Sequence, residues 1–429
     1  MAEMDESVER KEDSDSEMDE METEDHNAED AEEEELEFDD SAYVMYHQAN
    51  LGSPCLSFDV LLDGLGDNRE EFPLTLSLVA GSQSPKDHND IITVMKMSNL
   101  QRIKHKTADE SDSDSSESED EDDKPDLETT TLNHPGCVNR IRATEINNKK
   151  YAATWSMNGK VYIWDLSKPY EAINDTEKLS YYIRNCLSPD PIFNFSGHRG
   201  EGYALDWSRI TPGQLASGDC NKNIYLWKLK SDSSWCVEPA PYCSHSDSVE
   251  DIQWSPTEAN VFASCSVDKS IKVWDARASP AKACMLTCSG AHDSDINVIH
   301  WNRNDPFLVS GGDDGVIKIW DLRQFQHQKP SAVFKHHSAP ITSVEWHPTD
   351  NSVFAASGED NMISLWDMAV ERDTEDESSS KDDENIPAQL LFIHQGQNEI
   401  KEVHWHWQMP GVVISTAIDG FNVFRTISV

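Results

Sequence analysis

Between residues 134 and 429 a histidine is followed, six times over, by an aromatic residue 28 to 30 positions later. The pairs are His134–Trp164, His198–Trp227, His245–Trp274, His292–Trp320, His337–Trp366 and His394–Phe424. From Trp227 onward the aromatic recurs at spacings of 47, 46 and 46 residues. Four of the six aromatics begin a Trp-Asp pair (Trp164, Trp274, Trp320, Trp366), while Trp227-Lys228 and Phe424-Arg425 are degenerate copies. Two further marks keep register with these. A second tryptophan lies nine residues after four of the histidines (Trp207, Trp254, Trp301, Trp346), and Trp405 lies eleven after His394. A turn acid stands six residues before the last aromatic at Asp268, Asp314 and Asp360, with Asn158 and Asn221 in two other copies. A repeat of this length is one supersecondary unit that buries its apolar face only against its neighbours, so it dictates the architecture before any other feature does.

The segments between the marks read as strands. Residues 270–274, 316–320 and 362–366 are short aliphatic runs after polar turns, and residues 262–265 and 308–312 are the strands before them. No helical periodicity of useful length interrupts them. Several short strands in about 46 residues make one blade of an all-β propeller. Six blades are visible. Residues 72–80 and 91–97, apolar and separated by Gly81-Ser82-Gln83-Ser84-Pro85, supply a seventh; a strand donated from the N-terminal side is a second way to close the ring and remove its edges.

Joint register of four marks resembles the WD-repeat family over residues 134–429. The resemblance implies a seven-bladed propeller in which an acid fixes a turn, a histidine bonds it, and a hydroxyl relays to the tryptophan indole. The residues that match are His198, His245, His292, His337, Asp268, Asp314, Asp360, Trp274, Trp320 and Trp366. His337, Ser357 and Asp360 also look like a hydrolase triad. A catalytic set is needed once, however, and this one recurs, so a structural role is expected.

Charge divides the rest of the chain. Of 80 acidic and 35 basic residues, net −45, three segments hold most of the imbalance. Residues 1–40 contain 22 acids and 2 bases, residues 107–128 contain 12 and 1, and residues 371–386 contain 8 and 2. The remaining body is close to neutral, so the expected organisation is a disordered acidic tail (1–40), a short N-terminal helix with strands completing the propeller (41–100), a disordered acidic loop (101–130), and the repeat region (131–429) with its acidic insertion at 371–386. Tyr43, Met45, Tyr46 and Ala49 fall on one face of that helix, either as a cap or as one wall of a partner groove. The charge argues against direct binding of nucleic acid or an anionic membrane. No run approaches 18 apolar residues and no secretory leader is present. Nine cysteines without a CxxC pair fit a reducing compartment rather than a disulfide or zinc framework. His404-Trp405-His406 offers two metal ligands but no third, and is expected as packing; no cofactor or metal is expected. Residues 102–106 form a weak basic import signal. Ser14, Ser16, Ser111, Ser116, Ser118, Thr374 and Ser379, each with an acid three residues on, resemble acidophilic kinase sites.

The acidic insertion in a late blade and the stretch 200–207 after Gly197-His198 resemble the histone-binding WD subfamily. Its adjacent-proline loop is reduced here to Ile386-Pro387-Ala388. The glutamate-rich start, the Ser/Asp/Glu loop before the first repeat, and the ending at residues 421–429 resemble the glutamate-rich WD-repeat family more narrowly. That resemblance implies a monomeric, nuclear and nucleolar, non-enzymatic escort of a basic large-subunit ribosomal protein, called L-three. Histone binding is the alternative. Trp274-Asp275-Ala276-Arg277 and Trp320-Asp321-Leu322-Arg323 leave a third, a cullin-ligase substrate adaptor. Candidates for client contact are Tyr43, Tyr46, Glu375, Asp376, Glu377, Asp382, Asp383 and Glu384.

Overall fold

A computed structural model describes residues 39–84, 90–104, 124–185, 187–371 and 386–429. Seven four-stranded antiparallel sheets form the blades of a propeller. Blade 1 spans residues 55–133, so the apolar runs at 72–80 and 91–97 do form its second and third strands, Leu74–Ser82 and Ile91–Leu100. Its outer strand, Asp126–Asn133, takes up the end of the segment expected as loop. Blades 2 to 6 span residues 138–195, 205–237, 249–289, 296–335 and 341–394. Blade 7 has three strands from the C-terminus, Glu402–Trp405, Val412–Ala417 and Gly420–Thr426, and a fourth from the other end of the chain, Tyr43–Ala49.

That fourth strand corrects the expected helix. Residues 43–49 pair antiparallel with the last strand, from Tyr43 opposite Thr426 to Ala49 opposite Phe421. Tyr43, Met45 and Ala49 face inward and are buried. The ring is therefore closed by hydrogen bonds between the two ends of the repeat array, and the Gly420–Thr426 strand keeps no open edge.

The apolar cores are seven, one between each pair of adjacent blades. Leu78, Met95, Ile414 and Val423 lie between blades 7 and 1, for example, and Phe262, Trp274 and Ile252 between blades 3 and 4. The inner strands are tied by polar bonds as well. The indole N–H of Trp207 donates to the Arg142 carbonyl at 2.9 Å, that of Trp254 to Asp206 at 3.1 Å, and that of Trp405 to Glu345 at 3.0 Å. The row of second tryptophans is thus a set of ties between blades. Acids in the same strands act alike: Asp59, Asp206, Asp251, Glu345 and Glu402 each accept a backbone N–H of the next blade, from Ala143, Trp254, Ile299, Trp405 and Phe58.

The histidine networks are built inside single blades. His245 Nδ1 lies 3.0 Å from Asp268, its Nε2 lies 2.7 Å from Ser264 Oγ, and the Trp274 indole N–H donates to that hydroxyl at 2.8 Å. His292, Asp314, Ser310 and Trp320 repeat the arrangement. Two details differ from expectation. In blade 3 the acid on His198 is Asp219, at 2.8 Å, whereas Asn221 donates its backbone N–H to that same carboxylate. In blade 6 the relay between His337 and Trp366 is Ser364, not Ser357. The residue two beyond Phe354, where other blades place the hydroxyl, is Ala356; Ser364 is its cross-strand partner and supplies the oxygen from the opposite strand. Ser357 Oγ instead meets Thr342.

Two short helices, Ser167–Ile173 and Thr176–Arg184, occupy the connection between the third and outer strands of blade 2, where no helix was expected. Asp175 caps the second by accepting the N–H groups of Glu177 and Lys178.

Candidate binding surfaces

In a four-stranded antiparallel blade, the first-to-second and third-to-fourth connections lie at one end and the second-to-third hairpin at the other. One face of the ring, the hairpin face, therefore carries the His–Asp turns. The other, the loop face, carries the connections leaving the first and third strands.

Each acidic segment joins the body at the loop-face end of an outer strand. Residues 1–38 precede the outer strand of blade 7, residues 105–123 precede that of blade 1, and residues 372–385 precede that of blade 6. These three blades are consecutive around the ring, and their described flanks meet. The Tyr43 hydroxyl is 2.7 Å from His394 Nδ1, and its ring packs edge-on to Phe392. The Ile103 N–H donates to the Val44 carbonyl at 3.0 Å. Tyr43, Ile103, Leu391 and Phe392 all belong to one apolar cluster. Tyr43 is 7% exposed and engaged by His394, so it is a structural anchor of this corner and not part of a helical groove wall. Tyr46 is half-buried beside it, its hydroxyl 2.6 Å from the Gln48 amide. Glu375, Asp376, Glu377, Asp382, Asp383 and Glu384 lie outside the described residues, as do Ser14, Ser16, Ser111, Ser116, Ser118, Thr374 and Ser379.

A second acidic region surrounds the hairpin-face mouth of the central channel. Glu201, Glu250, Asp295 and Asp313 stand there. Burial, and then the neighbouring Asp313, push the Asp295 carboxyl above its ordinary range, while burial does the same to Glu250. Acids that repel one another in this way favour a cationic guest.

The channel holds a third constellation. Glu402, fully buried, accepts from Arg140 and Arg142 through Oε1, each at 2.7 Å, and from the Phe58 backbone through Oε2 at 2.8 Å. His404 lies 2.7 Å from Glu345 and 3.5 Å from Glu402. Burial opposes a charge on His404, but Glu345 and then Glu402 overcome it and hold the pKa up at about 10. A protonated imidazole has no lone pair for a metal. His406 is engaged elsewhere, accepting the Gln408 N–H at 3.1 Å. Among the described residues no His, Cys, Asp and Glu cluster could hold a metal ion. At the loop-face mouth, a cavity of about 370 Å³ is lined by Asp59, Asp206, His300, Arg209, Arg303 and Trp407 among others. These channel residues escaped the sequence reading. The available signal was an acid one to three positions before the second tryptophan (Asp206, Asp251, Glu345, Glu402), in strands otherwise apolar.

The Trp-Asp-x-Arg arginines are already occupied. Arg277 chelates Asp275 with Nε and Nη2 at 2.9 and 2.7 Å, and Arg323 chelates Asp321 at 2.9 Å. Their exposed side chains remain approachable on the loop face. No helix among the described residues is long and apolar enough to cross a membrane.

Comparison with known proteins agrees with this architecture. Residues 239–275, 282–321 and 328–367 match the WD domain, G-beta repeat. Residues 33–101 match the family model for histone-binding protein RBBP4 and the corresponding component of the CAF1 complex. The chain is 41% identical to Protein HEAT STRESS TOLERANT DWD 1 of Arabidopsis thaliana, covering 92% of this chain and 89% of that one. It is 39% identical to ribosome assembly protein rrb1 of Schizosaccharomyces pombe, over 92% and 82%. It is 41% identical to glutamate-rich WD repeat-containing protein 1 of Dictyostelium discoideum, again over 92% and 82%. Histone-binding protein MSI1 of Saccharomyces cerevisiae is more distant, at 24%. With propeller, acidic corner and near-full-length similarity in agreement, the chain belongs to the glutamate-rich WD-repeat family.

Proposed function

We propose that this protein is a non-enzymatic escort for a basic ribosomal protein, of the L-three type, during nucleolar assembly of the large ribosomal subunit. The observation that carries the reading is the corner formed by blades 6, 7 and 1, where three acidic segments join a rigid body at adjoining points. A free ribosomal protein presents Lys and Arg destined for RNA phosphates. Carboxylates gathered at one corner stand in for those phosphates. Each contact is weak and salt-screened, but many on one scaffold give fast capture, and the shaped propeller adds selectivity. RNA, with denser charge, then competes the client away without nucleotide hydrolysis. A relative named as a ribosome assembly protein supports the same reading. In it, Glu375, Asp376, Glu377, Asp382, Asp383 and Glu384 contact the client, and Tyr46 adds an aromatic edge from the same corner.

The match of residues 33–101 to a histone-binding model favours one alternative, a histone client on the same corner. A pulldown of the full chain from nuclease-treated extract separates the readings. A near-equimolar large-subunit ribosomal protein is expected; histones in that position would make chromatin the primary role, and a cullin-ligase scaffold would favour the adaptor reading. Replacing the eight acids of 371–386 by their amides in the full chain is expected to weaken the basic client at least about tenfold at low salt, with the difference vanishing as salt rises. Unchanged affinity at low salt would sink the proposal.

A further inference from the structure

Arginine is scarce in this chain and carboxylate abundant, so an accessible arginine would be expected to find an acid, as Arg277 and Arg323 do. Two at the loop-face mouth do not. Arg209 follows the first strand of blade 3, Arg303 that of blade 5, and Trp407 that of blade 7. All three therefore converge on the mouth from non-adjacent blades. The guanidinium carbon of Arg209 sits 3.7 Å from the centroid of the Trp407 ring, and that of Arg303 sits 4.8 Å from it. Both side chains are exposed, and neither has a hydrogen bond or ion pair among the described residues. The carboxylates nearby are committed: Asp206 to the Trp254 N–H, Asp59 to Ala143, and Glu345 to His404 and Trp405.

We propose that Arg209, Arg303 and Trp407 form a binding site for a compact phosphate-bearing small molecule at the loop-face mouth of the channel. Stacking on an indole fixes the plane of a guanidinium while leaving its in-plane N–H groups free to donate. One such fork satisfies a carboxylate; two on a single ring suit a tetrahedral dianion, which has oxygens enough for both. The cavity of about 370 Å³ lies near the lower end of small-ligand pockets, roughly 300–1,000 Å³. Size matters for a second reason. A polyanion such as RNA would meet the field of a chain carrying −45, whereas a single phosphate or diphosphate is offset locally by the two guanidiniums. Loss of hydration in the mouth already lowers the pKa of Arg209, and an oxyanion partner relieves that penalty. This site is separate from the acidic corner and does not depend on the client reading.

The test is isothermal calorimetry on the full chain with inorganic phosphate and pyrophosphate as probes, against sodium chloride at equal ionic strength. Saturable one-to-one binding of pyrophosphate is expected, in the range of about 0.1–1 mM. Arg209→Gln with Arg303→Gln should weaken it at least about tenfold, and Trp407→Leu should weaken it less. Arg303→Lys alone keeps the charge but loses the fork, and is expected to weaken pyrophosphate measurably even if the double variant fails to fold. Absence of saturable binding, or binding that Arg303→Lys and the double variant leave unchanged, overturns the proposal.

Discussion

Replacing Glu402 by glutamine is expected to destabilise the protein by about 3–5 kcal/mol, the largest effect of any single polar substitution in the ring. Glu402 is the anion shared by Arg140 and Arg142 of blade 2 and by the backbone of Phe58 in blade 1, while it belongs to blade 7 itself. Three blades at the seam between the chain's two ends thus depend on one buried carboxylate. Burial disfavours its charge, yet Arg142, His404 and Arg140 hold it well below the usual carboxylate range. Removing the charge leaves two guanidiniums and an imidazolium in the wall without their counter-ion. The check is a shift of the urea midpoint at constant slope. Glu402→Leu combined with Arg140→Met and Arg142→Met should recover much of the loss, because the penalty comes from orphaned charge and not from absent attraction.

The same cluster sets a dependence on pH. The folded-state pKa of His404, about 10, lies above its unfolded value of about 6.5. Its contribution is therefore fully present below about pH 6.5 and is lost as pH rises toward 10. Stability measured across that window is expected to fall in the native chain and to fall less in His404→Gln. Equal slopes would mean that His404 is neutral in the folded protein.

What was legible in the sequence follows from periodicity. The His, Trp and turn marks recur because every blade solves the same packing problem, and a recurring solution can be read without coordinates. The Tyr43–Ala49 strand could not be read this way. Tyr43, Tyr46 and Ala49 fit a helical face, and Tyr43, Met45 and Ala49 fit a strand face; over seven residues both periods hold, and only the partner strand at 420–426 decides. Ser364 was hidden for a related reason. A hydroxyl moved from Ala356 to its cross-strand partner is adjacent in space but eight residues away in sequence. The channel charges were hardest, since Glu402 and Arg142 are brought together only by closure of the ring, 260 residues apart.

Removing the Tyr43–Ala49 strand is expected to be more damaging than any point change. A chain starting at residue 51 loses the burial of Tyr43 and Met45, worth roughly 1.5–3 kcal/mol each. It also loses the ladder to the final strand and the Tyr43–His394 bond that holds blade 6 to blade 7. The consequence is not only a lower midpoint. The Gly420–Thr426 strand would present an unpaired edge with Phe421, Val423 and Phe424 beside it, the kind of surface that recruits another chain. Such a protein should aggregate or bind a hydrophobic dye at temperatures where the native chain is folded. A chain starting at residue 39 keeps the strand and should melt with the full-length protein. Adding a peptide of residues 39–52 to the shorter chain should restore soluble, cooperative unfolding by completing the blade in trans. If the chain starting at 51 melts as the intact protein does, the closure does not depend on this strand, and the acidic corner that Tyr43 anchors would have to be held together by blade 6 and Ile103 alone.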